Sequence, residues 1–332
     1  MRLSAMGDVA MTVPVLRAFS KQYPEIKITI ISNLFFQPFF EQIPNVSFFA
    51  FDKKGKHKGF FGLFRLFFEL RKQNIDAFAD LHNVLRSKVV RIIFALSRKK
   101  TAFTNKGRNE KNEVTRPENK IFRPLPTVFE RHANVFQKLG FPLDLSKPEF
   151  PEKQILTSEI ISIVGEKTEN WIGIAPFAQH DSKVYPLDLM IQVIEELAKN
   201  NYKIFLFGGG KKEIEVLNLL SNGKENVISV AGKLNFNQEI QLIGNLDVML
   251  SMDSGNAHIA AMLGIKTITL WGATHPFLGF APFFQPIENA LMSDRNLYPK
   301  LPTSVYGNKK VDGYQDAMRT ILPKQVIEKI VQ

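Results

Sequence analysis

The chain has 332 residues, of which 45% are hydrophobic, so it is long enough for two domains that each bury a core. It contains no cysteine, which excludes disulfides, thiolate metal sites and a cysteine nucleophile, and which is consistent with a reducing cytoplasm. No run reaches the ~18 apolar residues that a membrane span needs, and no signal peptide is visible.

The net charge of +11 is concentrated in the first half of the chain. Residues 1–150 contain 26 lysines and arginines against 13 acidic residues, whereas residues 151–332 contain 17 against 19. The first half also holds 21 of the 29 phenylalanines. A basic, aromatic half indicates an acidic partner. Lysines that only solvate the surface of a basic protein are the alternative, and the composition leaves both interpretations open.

Short apolar runs alternate with amphipathic segments in the first half. We predict strands at 26–31, 46–51 and 75–81, and helices at 10–22, 34–41, 60–72, 85–96 and 128–139. Strands that alternate with helices indicate a parallel sheet. Residues 104–119 are polar and aperiodic, so we expect a mobile loop there. Residues 143–152 are proline-rich and are expected to link the two domains.

The second half repeats this alternation more clearly. We predict strands at 171–175, 203–207, 227–230, 248–250 and 267–271, and helices at 187–200, 211–220, 238–244, 257–263 and 324–331. Periodicity therefore predicts two α/β domains.

The loop after the strand at 248–250 contains the most informative motif. Asp253, Ser254 and Gly255 precede a short helix that has His258 in its first turn. Backbone amides and small polar side chains at a helix N-terminus suit a phosphate, and Gly255 permits close approach of the backbone. A lone histidine in a helix is more often structural, but this one lies beside a Ser-Gly turn. We therefore predict a phosphate cradle.

Two other loops that follow strands carry candidate ligands. Lys183 offers a point positive charge for a diphosphate, with a hydrogen bond from Ser182 or Gln179; an ordinary exposed lysine is the alternative. Glu213 follows a strand and three glycines, where a carboxylate can bind ribose hydroxyls. The preference of glutamate for helix N-termini explains it almost as well. The glycines lack the spacing of a dinucleotide-binding fingerprint.

Asp8 follows Gly7 in a loop before the first helix. A carboxylate at this point can act as a general base that faces a cleft, or it can stabilise the helix N-terminus electrostatically. The chemistry of the residue by itself favours neither role.

The two motifs together resemble glycosyltransferase family 9, the lipopolysaccharide heptosyltransferases. The second-half motif matches the family pattern at Asp253, Ser254, Gly255, His258, Ala261, Trp271, Gly272, Thr274 and Pro276, with Lys266 where proline is usual. The first-half match is Arg2-Leu-Ser-Ala-Met-Gly-Asp-Val9, and residues 80–87 resemble a third family segment. The resemblance implies the GT-B architecture, with two Rossmann-like α/β domains whose parallel sheets face a central cleft.

The resemblance also implies a division of labour. Residues 1–150 are expected to be the acceptor-binding domain that carries the catalytic Asp8, and residues 151–332 the nucleotide-sugar domain. The C-terminal helix is expected to be able to pack back on the first domain. The expected acceptor-binding residues are Ser4, Gly7, Arg86 and Ser87, with a solvated helix start as the alternative for the last two. The expected donor-binding residues are Ser182, Lys183, Glu213, Leu234, Asp253, Ser254, Gly255 and His258.

The implied activity is inverting transfer of a heptose, or a similar sugar, from an ADP-sugar to a phosphorylated lipopolysaccharide core. Asp8 would be the general base, and Lys183 would stabilise the leaving ADP. No cluster has metal-ligand spacing, so no obligate metal or cofactor is expected. A cytoplasmic monomer is expected, bound peripherally to the anionic inner face of the inner membrane and not to nucleic acid.

Two rival functions and one departure from the family stay open. A GT-B-like transferase or epimerase could use another nucleotide sugar, and a basic module without catalysis could bind anionic membrane or nucleic acid. The family usually has a short apolar strand before the first motif, whereas the printed chain starts at Met1-Arg2-Leu3. We therefore expect this strand to be missing or reduced by a truncated start, in which case the loop that carries Asp8 loses its anchor.

Overall fold

The computed structural model describes residues 1–200 and 202–332, which divide into two compact units. The first unit is Met1–Gly107 with Pro126–Pro151, and the second is Arg108–Leu125 with Glu152–Gln332. The α-helices are α1 Met6–Ala10, α2 Val13–Gln22, α3 Gly59–Arg71, α4 Leu85–Leu96, α5 Arg108–Thr115, α6 Val128–Leu139, α7 Ser158–Val164, α8 Leu187–Lys199, α9 Lys211–Ser221, α10 Phe236–Ile243, α11 Gly255–Met262 and α12 Pro323–Val331. The strands are β1 Ile28–Ser32, β2 Val46–Ala50, β3 Ala77–Asp80, β4 Lys100–Phe103, β5 Trp171–Ala175, β6 Lys203–Leu206, β7 Val227–Ser229, β8 Val248–Met252, β9 Lys266–Trp271 and β10 Ala290–Met292. Short 3-10 helices lie at Leu34–Phe39, Asp181–Lys183, Pro276–Leu278, Ile287–Asn289 and Ala317–Thr320.

The second unit is built on a six-stranded parallel sheet with the order β10-β9-β8-β5-β6-β7. Every residue of β5 and β8 is buried, as expected for parallel strands that helices cover on both faces. The chain runs from β5 through β6 to β7 on one side, then returns to place β8, β9 and β10 on the other. The strand order therefore reverses between β5 and β8.

In the first unit, residues 1–3 join two small parallel sheets, β1–β2 and β3–β4. The Met1 amino group donates to Ala79 O at 2.8 Å, and Leu81 N donates back to Met1 O at 3.2 Å. On the other side, Arg2 N donates to Ile31 O at 3.1 Å. Residues 1–3 form no regular strand, but their backbone hydrogen bonds on both sides anchor the residues that lead into α1, the helix that carries Asp8.

Helices α3 and α4 pack side by side on one face of this joined sheet. Leu63, Leu66, Phe67 and Leu70 of α3 share a buried cluster with Phe94 of α4 and with Met1, Leu3 and Phe78 of the sheet. The rings of Phe67 and Phe94 are 5.0 Å apart, and those of Phe78 and Phe94 are also 5.0 Å apart. The inner faces of the two helices are therefore fully used by the core.

The prediction of a mobile loop at 104–119 is wrong, because this segment contains helix α5. Val114 of α5 is fully buried and packs with Leu125 and Leu278 in a small cluster of the second unit. One apolar residue in a polar helix gives no local period, so only these distant contacts distinguish it from a loop.

One further expectation differs from the structure. The helix expected at 34–41 is a 3-10 helix, Leu34–Phe39, because Pro38 inside it cannot donate a backbone hydrogen bond. The C-terminal helix α12 belongs to the second unit, where its buried Val326 and Ile330 join the core and it packs against α8. No helix among the described residues combines the length and the apolar character needed to cross a membrane.

Candidate active site

The candidate donor residues of the second unit lie at the carboxyl ends of its parallel strands. The loop after β5 carries Ser182 and Lys183, and the loop after β8 carries Asp253 and Ser254. These two loops flank the point at which the strand order reverses. Ligands of open α/β sheets bind at such a switch point, because the two loops diverge there and leave a crevice. The topology therefore brings together two motifs that are about seventy residues apart in sequence.

A buried ion pair joins these two loops. Lys183 Nζ lies 3.0 Å from Asp253 Oδ2, and the two side chains are only 12% and 9% exposed. Thr274 Oγ1 donates to the same carboxylate oxygen at 2.8 Å. Asp253 therefore fixes the lysine, and Thr274, in the loop after β9, fixes Asp253. Sequence reasoning matched Thr274 to the family motif but gave it no role.

The loop at 303–308 covers the stem of Lys183. A Cβ placed on Gly307 would lie 2.5 Å from Lys183 Cδ, so only glycine fits over the lysine chain. Gly307 also has φ +86°, a conformation that other residues rarely adopt. Its carbonyl accepts a hydrogen bond from Ser182 Oγ at 2.6 Å, and Ser304 Oγ accepts one from its amide at 2.9 Å. The sequence does not reveal this loop, since it carries no motif residue and contacts Lys183 only through the tertiary fold.

Helix α11 begins directly after the ion pair. Ser254 is its N-cap in an extended conformation, but its side chain makes no capping hydrogen bond; its hydroxyl lies 3.0 Å from Ser251 Oγ instead. Gly255 opens the helix, and His258 is 7% exposed. Backbone N–H groups of a first turn without a side-chain cap suit an anionic ligand.

The two remaining donor candidates lie beyond β6 and β7. Glu213 is in the first turn of α9, and its Oε2 accepts a hydrogen bond from Gly209 N at 2.8 Å. This contact rigidifies the glycine run and is the helix-start role that the sequence left open beside ribose binding. Leu234 is buried and follows Gly232, whose backbone approaches Ile214. Both residues lie on the β6–β7 side of the switch point.

In the first unit, Asp8 is held by its own motif. Arg2 Nη2 lies 2.6 Å from Asp8 Oδ2, and Ala5 N donates to the same oxygen at 3.2 Å. Arg2 is fixed in turn, because its Nη1 donates to Leu81 O at 2.8 Å and its Nε to Ser4 O at 3.0 Å. The Asp8 side chain is 33% exposed. The motif thus presents a partly exposed carboxylate beside a nearly buried guanidinium.

Two histidines lie within electrostatic reach of Arg2 and Asp8. Burial, followed by the positive charge of Arg2, lowers the pKa of His82 to about 3 and that of His132 to about 3. His82 Nδ1 accepts a long hydrogen bond, 3.4 Å, from Leu3 N. Both rings are therefore neutral at physiological pH and poor proton acceptors. No sequence motif assigns a role to either histidine.

The expected acceptor residues have different surroundings. Ser4 and Arg86 are exposed, and Gly7 is half-buried. Ser87 is fully buried, where its hydroxyl accepts from Val84 N and donates to Val84 O, both at 3.0 Å. Its hydroxyl therefore closes the N-terminus of α4, and this geometry favours the helix-start interpretation for Ser87. Nearby Asp80 is buried and accepts hydrogen bonds from His82 N and Asn83 N, which makes it structural.

The described residues contain no group of three or more histidine, aspartate or glutamate side chains that could hold a metal ion. The donor candidates lie together around the switch point of the second unit. The Asp8 cluster and the acceptor candidates belong to the first unit. The second unit offers a cation and helix N–H groups that can bind a diphosphate. The first unit offers a carboxylate that can accept a proton from a hydroxyl. An enzyme that transfers a group from a diphosphate to a hydroxyl uses these types of group.

Comparison with known proteins gives a consistent result. The family model for glycosyltransferase family 9 (heptosyltransferase) matches residues 63–310. The lipopolysaccharide core heptosyltransferase OpsX of Haemophilus influenzae is 26% identical over 286 residues, which are 85% of this chain and 80% of that protein. The solved structure of E. coli ADP-heptose lps heptosyltransferase II has a TM-score of 0.68 at 20% identity and covers 100% of this chain and 98% of its own. The family 9 glycosyl transferase from Veillonella parvula DSM 2008 has a TM-score of 0.74 at 20% identity and covers 99% of this chain and 94% of its own.

The fold is of the GT-B class, built from two Rossmann-like α/β units with parallel sheets. The chain belongs to glycosyltransferase family 9, the heptosyltransferases. The fold class and the enzyme class expected from the sequence motifs are thereby confirmed.

Proposed function

We propose that this protein is an inverting heptosyltransferase that moves a heptose from an ADP-sugar to a lipopolysaccharide core. The observation that carries the proposal is the buried Lys183–Asp253 pair at the switch point of a family 9 chain. The sugar and the acceptor follow from the relatives, because one is named a lipopolysaccharide core heptosyltransferase and another an ADP-heptose heptosyltransferase.

The donor diphosphate binds between Lys183 and the first turn of α11. An ammonium group has three N–H donors, and Asp253 uses one of those of Lys183, which leaves donors for phosphate oxygens. The hydroxyls of Ser182 and Ser254 and the imidazole of His258 add polar contacts, and Gly255 lets the backbone come close. Glu213 meets the ribose and Leu234 lines the base pocket.

Asp8 is the general base. The acceptor hydroxyl oxygen attacks the anomeric carbon while the bond from that carbon to the diphosphate oxygen breaks. The hydroxyl proton passes to Asp8, and the bonding electrons leave with ADP, whose growing negative charge Lys183 stabilises. Neither His82 nor His132 is as accessible to an acceptor hydroxyl as Asp8, because both imidazoles are buried whereas the Asp8 side chain is 33% exposed.

The acceptor is a phosphorylated glycan bound by the first unit, with Ser4, Gly7 and exposed Arg86 as its candidate contacts. The excess of basic residues over residues 1–150 supports an anionic acceptor and an anionic surface. We propose a cytoplasmic monomer that binds peripherally to the inner face of the inner membrane. The reaction needs no metal, because Lys183 and the helix N–H groups supply the charge that stabilises the leaving group.

The test is a comparison of donors. Wild-type protein is titrated with ADP-heptose, ADP-glucose and UDP-sugars, and products on a core acceptor are identified by mass spectrometry with and without EDTA. We expect transfer from ADP-heptose that EDTA leaves unchanged. Turnover of a UDP-sugar in place of ADP-heptose, or interconversion of a sugar without an acceptor, would establish the rival transferase or epimerase. If the protein is inactive with every donor but still binds vesicles or nucleic acid, it is a binding module without catalysis.

A further inference from the structure

Helix α3 is apolar on both of its sides, although only one of them is in the core. Leu63, Leu66, Phe67 and Leu70 form the buried face. An adjoining face carries Phe60, Phe61, Phe64 and Phe68, which are 59%, 88%, 37% and 56% exposed. The apolar surface of α3 therefore extends well beyond the side that faces the core, whereas a surface helix normally has polar residues there. Four exposed phenylalanines on one helix face therefore indicate a partner that removes them from water.

Helix α4 repeats this arrangement. Its inner face holds Val90 and Phe94, whereas Leu85, Ile92 and Leu96 are 79%, 53% and 80% exposed. The spacing of these three residues, seven and then four, keeps them on one line along the helix. Since α3 and α4 pack side by side on the same face of the sheet, both exposed stripes look away from the sheet on the same side. We call this surface the α3–α4 outer face.

Basic residues surround the α3–α4 outer face. Residues 53–58, which lead into α3, contain exposed Lys53, Lys54, Lys56 and Lys58. Residues 85–100 contain six lysines and arginines and no acidic residue. The one acidic residue of α3, Glu69, is paired with Lys56 at 3.0 Å and with Arg65 at 3.1 Å. An aromatic and aliphatic stripe within a basic rim is the pattern of a helix that lies in the interface of an anionic bilayer.

We propose that the α3–α4 outer face is the membrane-docking surface of this protein, with the phenylalanines of α3 inserted among the headgroups of an anionic leaflet. The inference deepens the proposed function, on which it rests for the membrane location of the acceptor. A second copy of the chain is a poorer occupant, because two basic rims would face each other, and like charges repel. An acidic protein would satisfy the rim but does not require four exposed phenylalanines on one helix.

Paired variants test the apolar and the basic parts separately. Co-sedimentation is measured with phosphatidylcholine vesicles, with and without phosphatidylglycerol, at low and high salt. Phe61→Ser with Phe68→Ser should weaken binding to the anionic vesicles about tenfold or more. Lys53→Gln with Lys54→Gln and Lys58→Gln should weaken it about tenfold at low salt and much less at high salt. The control for the phenylalanine pair is Leu219→Ser with Phe284→Ser in the second unit. The control for the lysines is Lys153→Gln with Lys199→Gln and Lys324→Gln, also in the second unit. All five positions are exposed, and both controls should leave vesicle binding unchanged.

An inserted fluorophore distinguishes docking from loose electrostatic adsorption. The chain has only two tryptophans, Trp171 and Trp271, and both are buried. Phe61→Trp therefore adds one exposed reporter, whose emission should shift to the blue on anionic vesicles and be quenched by brominated lipid. A tryptophan that stays in water while the protein binds would overturn the proposal. Variants that bind like the wild type would overturn it too, as would a wild-type dimer that Phe61→Ser with Phe68→Ser dissociates.

Heptose transfer to a soluble, truncated acceptor is measured in parallel with every variant. The docking variants should retain it, because none of their positions belongs to the proposed donor or acceptor contacts. Loss of vesicle binding together with retained transfer supports the docking surface. Failure of the wild type to transfer heptose would contradict the proposed function. The vesicle measurements would then still test the docking surface independently of that function.

Discussion

The Asp8 carboxylate is the residue on which the proposed chemistry depends most. Asp8→Asn keeps the size of the side chain and removes the base, so turnover should fall by about two to four orders of magnitude. The affinity for ADP should stay the same, because the proposed ADP contacts all lie in the second unit. Steady-state kinetics and calorimetry measure the two effects.

Asp76→Asn is the control for this substitution, because Asp76 is a 95% exposed aspartate of the same unit. It should retain wild-type turnover. Near-normal turnover of Asp8→Asn would remove Asp8 from the role of base and leave it the electrostatic helix role that its sequence position also allows.

Lys183 is the corresponding residue of the donor site. Lys183→Ala removes a charged hydrogen-bond donor, so ADP affinity should fall about 10- to 100-fold, and turnover should fall with it. Lys183→Arg should restore binding better than turnover, since a planar fork replaces a point charge.

The second unit offers a matched control for the lysine. Lys167 also forms an ion pair with an aspartate, Asp247, at 2.8 Å, but away from the switch point. Lys167→Ala should leave ADP affinity unchanged by calorimetry. Equal affinities of wild type and Lys183→Ala would show that the buried pair with Asp253 is only structural.

At the scale of elements, α5 is the helix whose place is least evident from its sequence. Val114→Ala removes buried methyl groups that pack on Leu125 and Leu278, at a cost of about 1–3 kcal/mol. This loss should reduce hydrogen-exchange protection in the second unit, although residue 114 precedes α6 of the first unit in the chain. Mass spectrometry of exchanged peptides from β8 and β9 measures it.

Val135→Ala in α6 is the matched change in the first unit, since Val135 is equally buried. It should reduce protection of β3 and β4, which α6 contacts, and spare β8 and β9. If both variants loosened only the first unit, the assignment of α5 to the second unit would be wrong.

At the scale of the whole molecule, the buried histidines make stability depend on pH. The pKa of folded His132 is about 3 against an ordinary 6.5, because burial and then Arg2 oppose its charged form. The neutral form of His132 therefore contributes its full stabilisation at pH values above the ordinary pKa of 6.5. This stabilisation is lost as the pH falls toward the pKa of about 3 in the folded protein. Each pH unit below the ordinary value should cost up to about 1.4 kcal/mol for this histidine.

His132→Gln should flatten this dependence in the acid range, even if the variant is less stable at neutral pH. Chemical unfolding of the first unit, followed by hydrogen exchange at a series of pH values, gives the two slopes. Parallel curves for wild type and variant would mean that His132 is protonated in the folded protein as easily as in the unfolded chain.

The sequence by itself determined the class of fold, the family and the candidate site residues. Strands β5 and β8 are buried on both faces, so each one is a continuous apolar run that can be recognised in the sequence without knowledge of distant contacts. The loops that follow them carry Lys183 and Asp253, and parallel strands bring such loops to one edge of the sheet. The charge asymmetry was also evident from composition, but composition could not say which phenylalanines face water.

The tertiary structure decided everything that depends on contacts between distant residues. It paired residues 1–3 with β1 and β3, although three residues are too few to show any period. It buried Ser87 as a helix cap, gave Asp253 its partners, and laid Gly307 over Lys183. On α3, both faces are phenylalanine and leucine, so only the packing against the sheet separates core from surface. The local sequence pattern predicts the secondary structure of a segment, whereas the residues that the segment contacts depend on the whole fold.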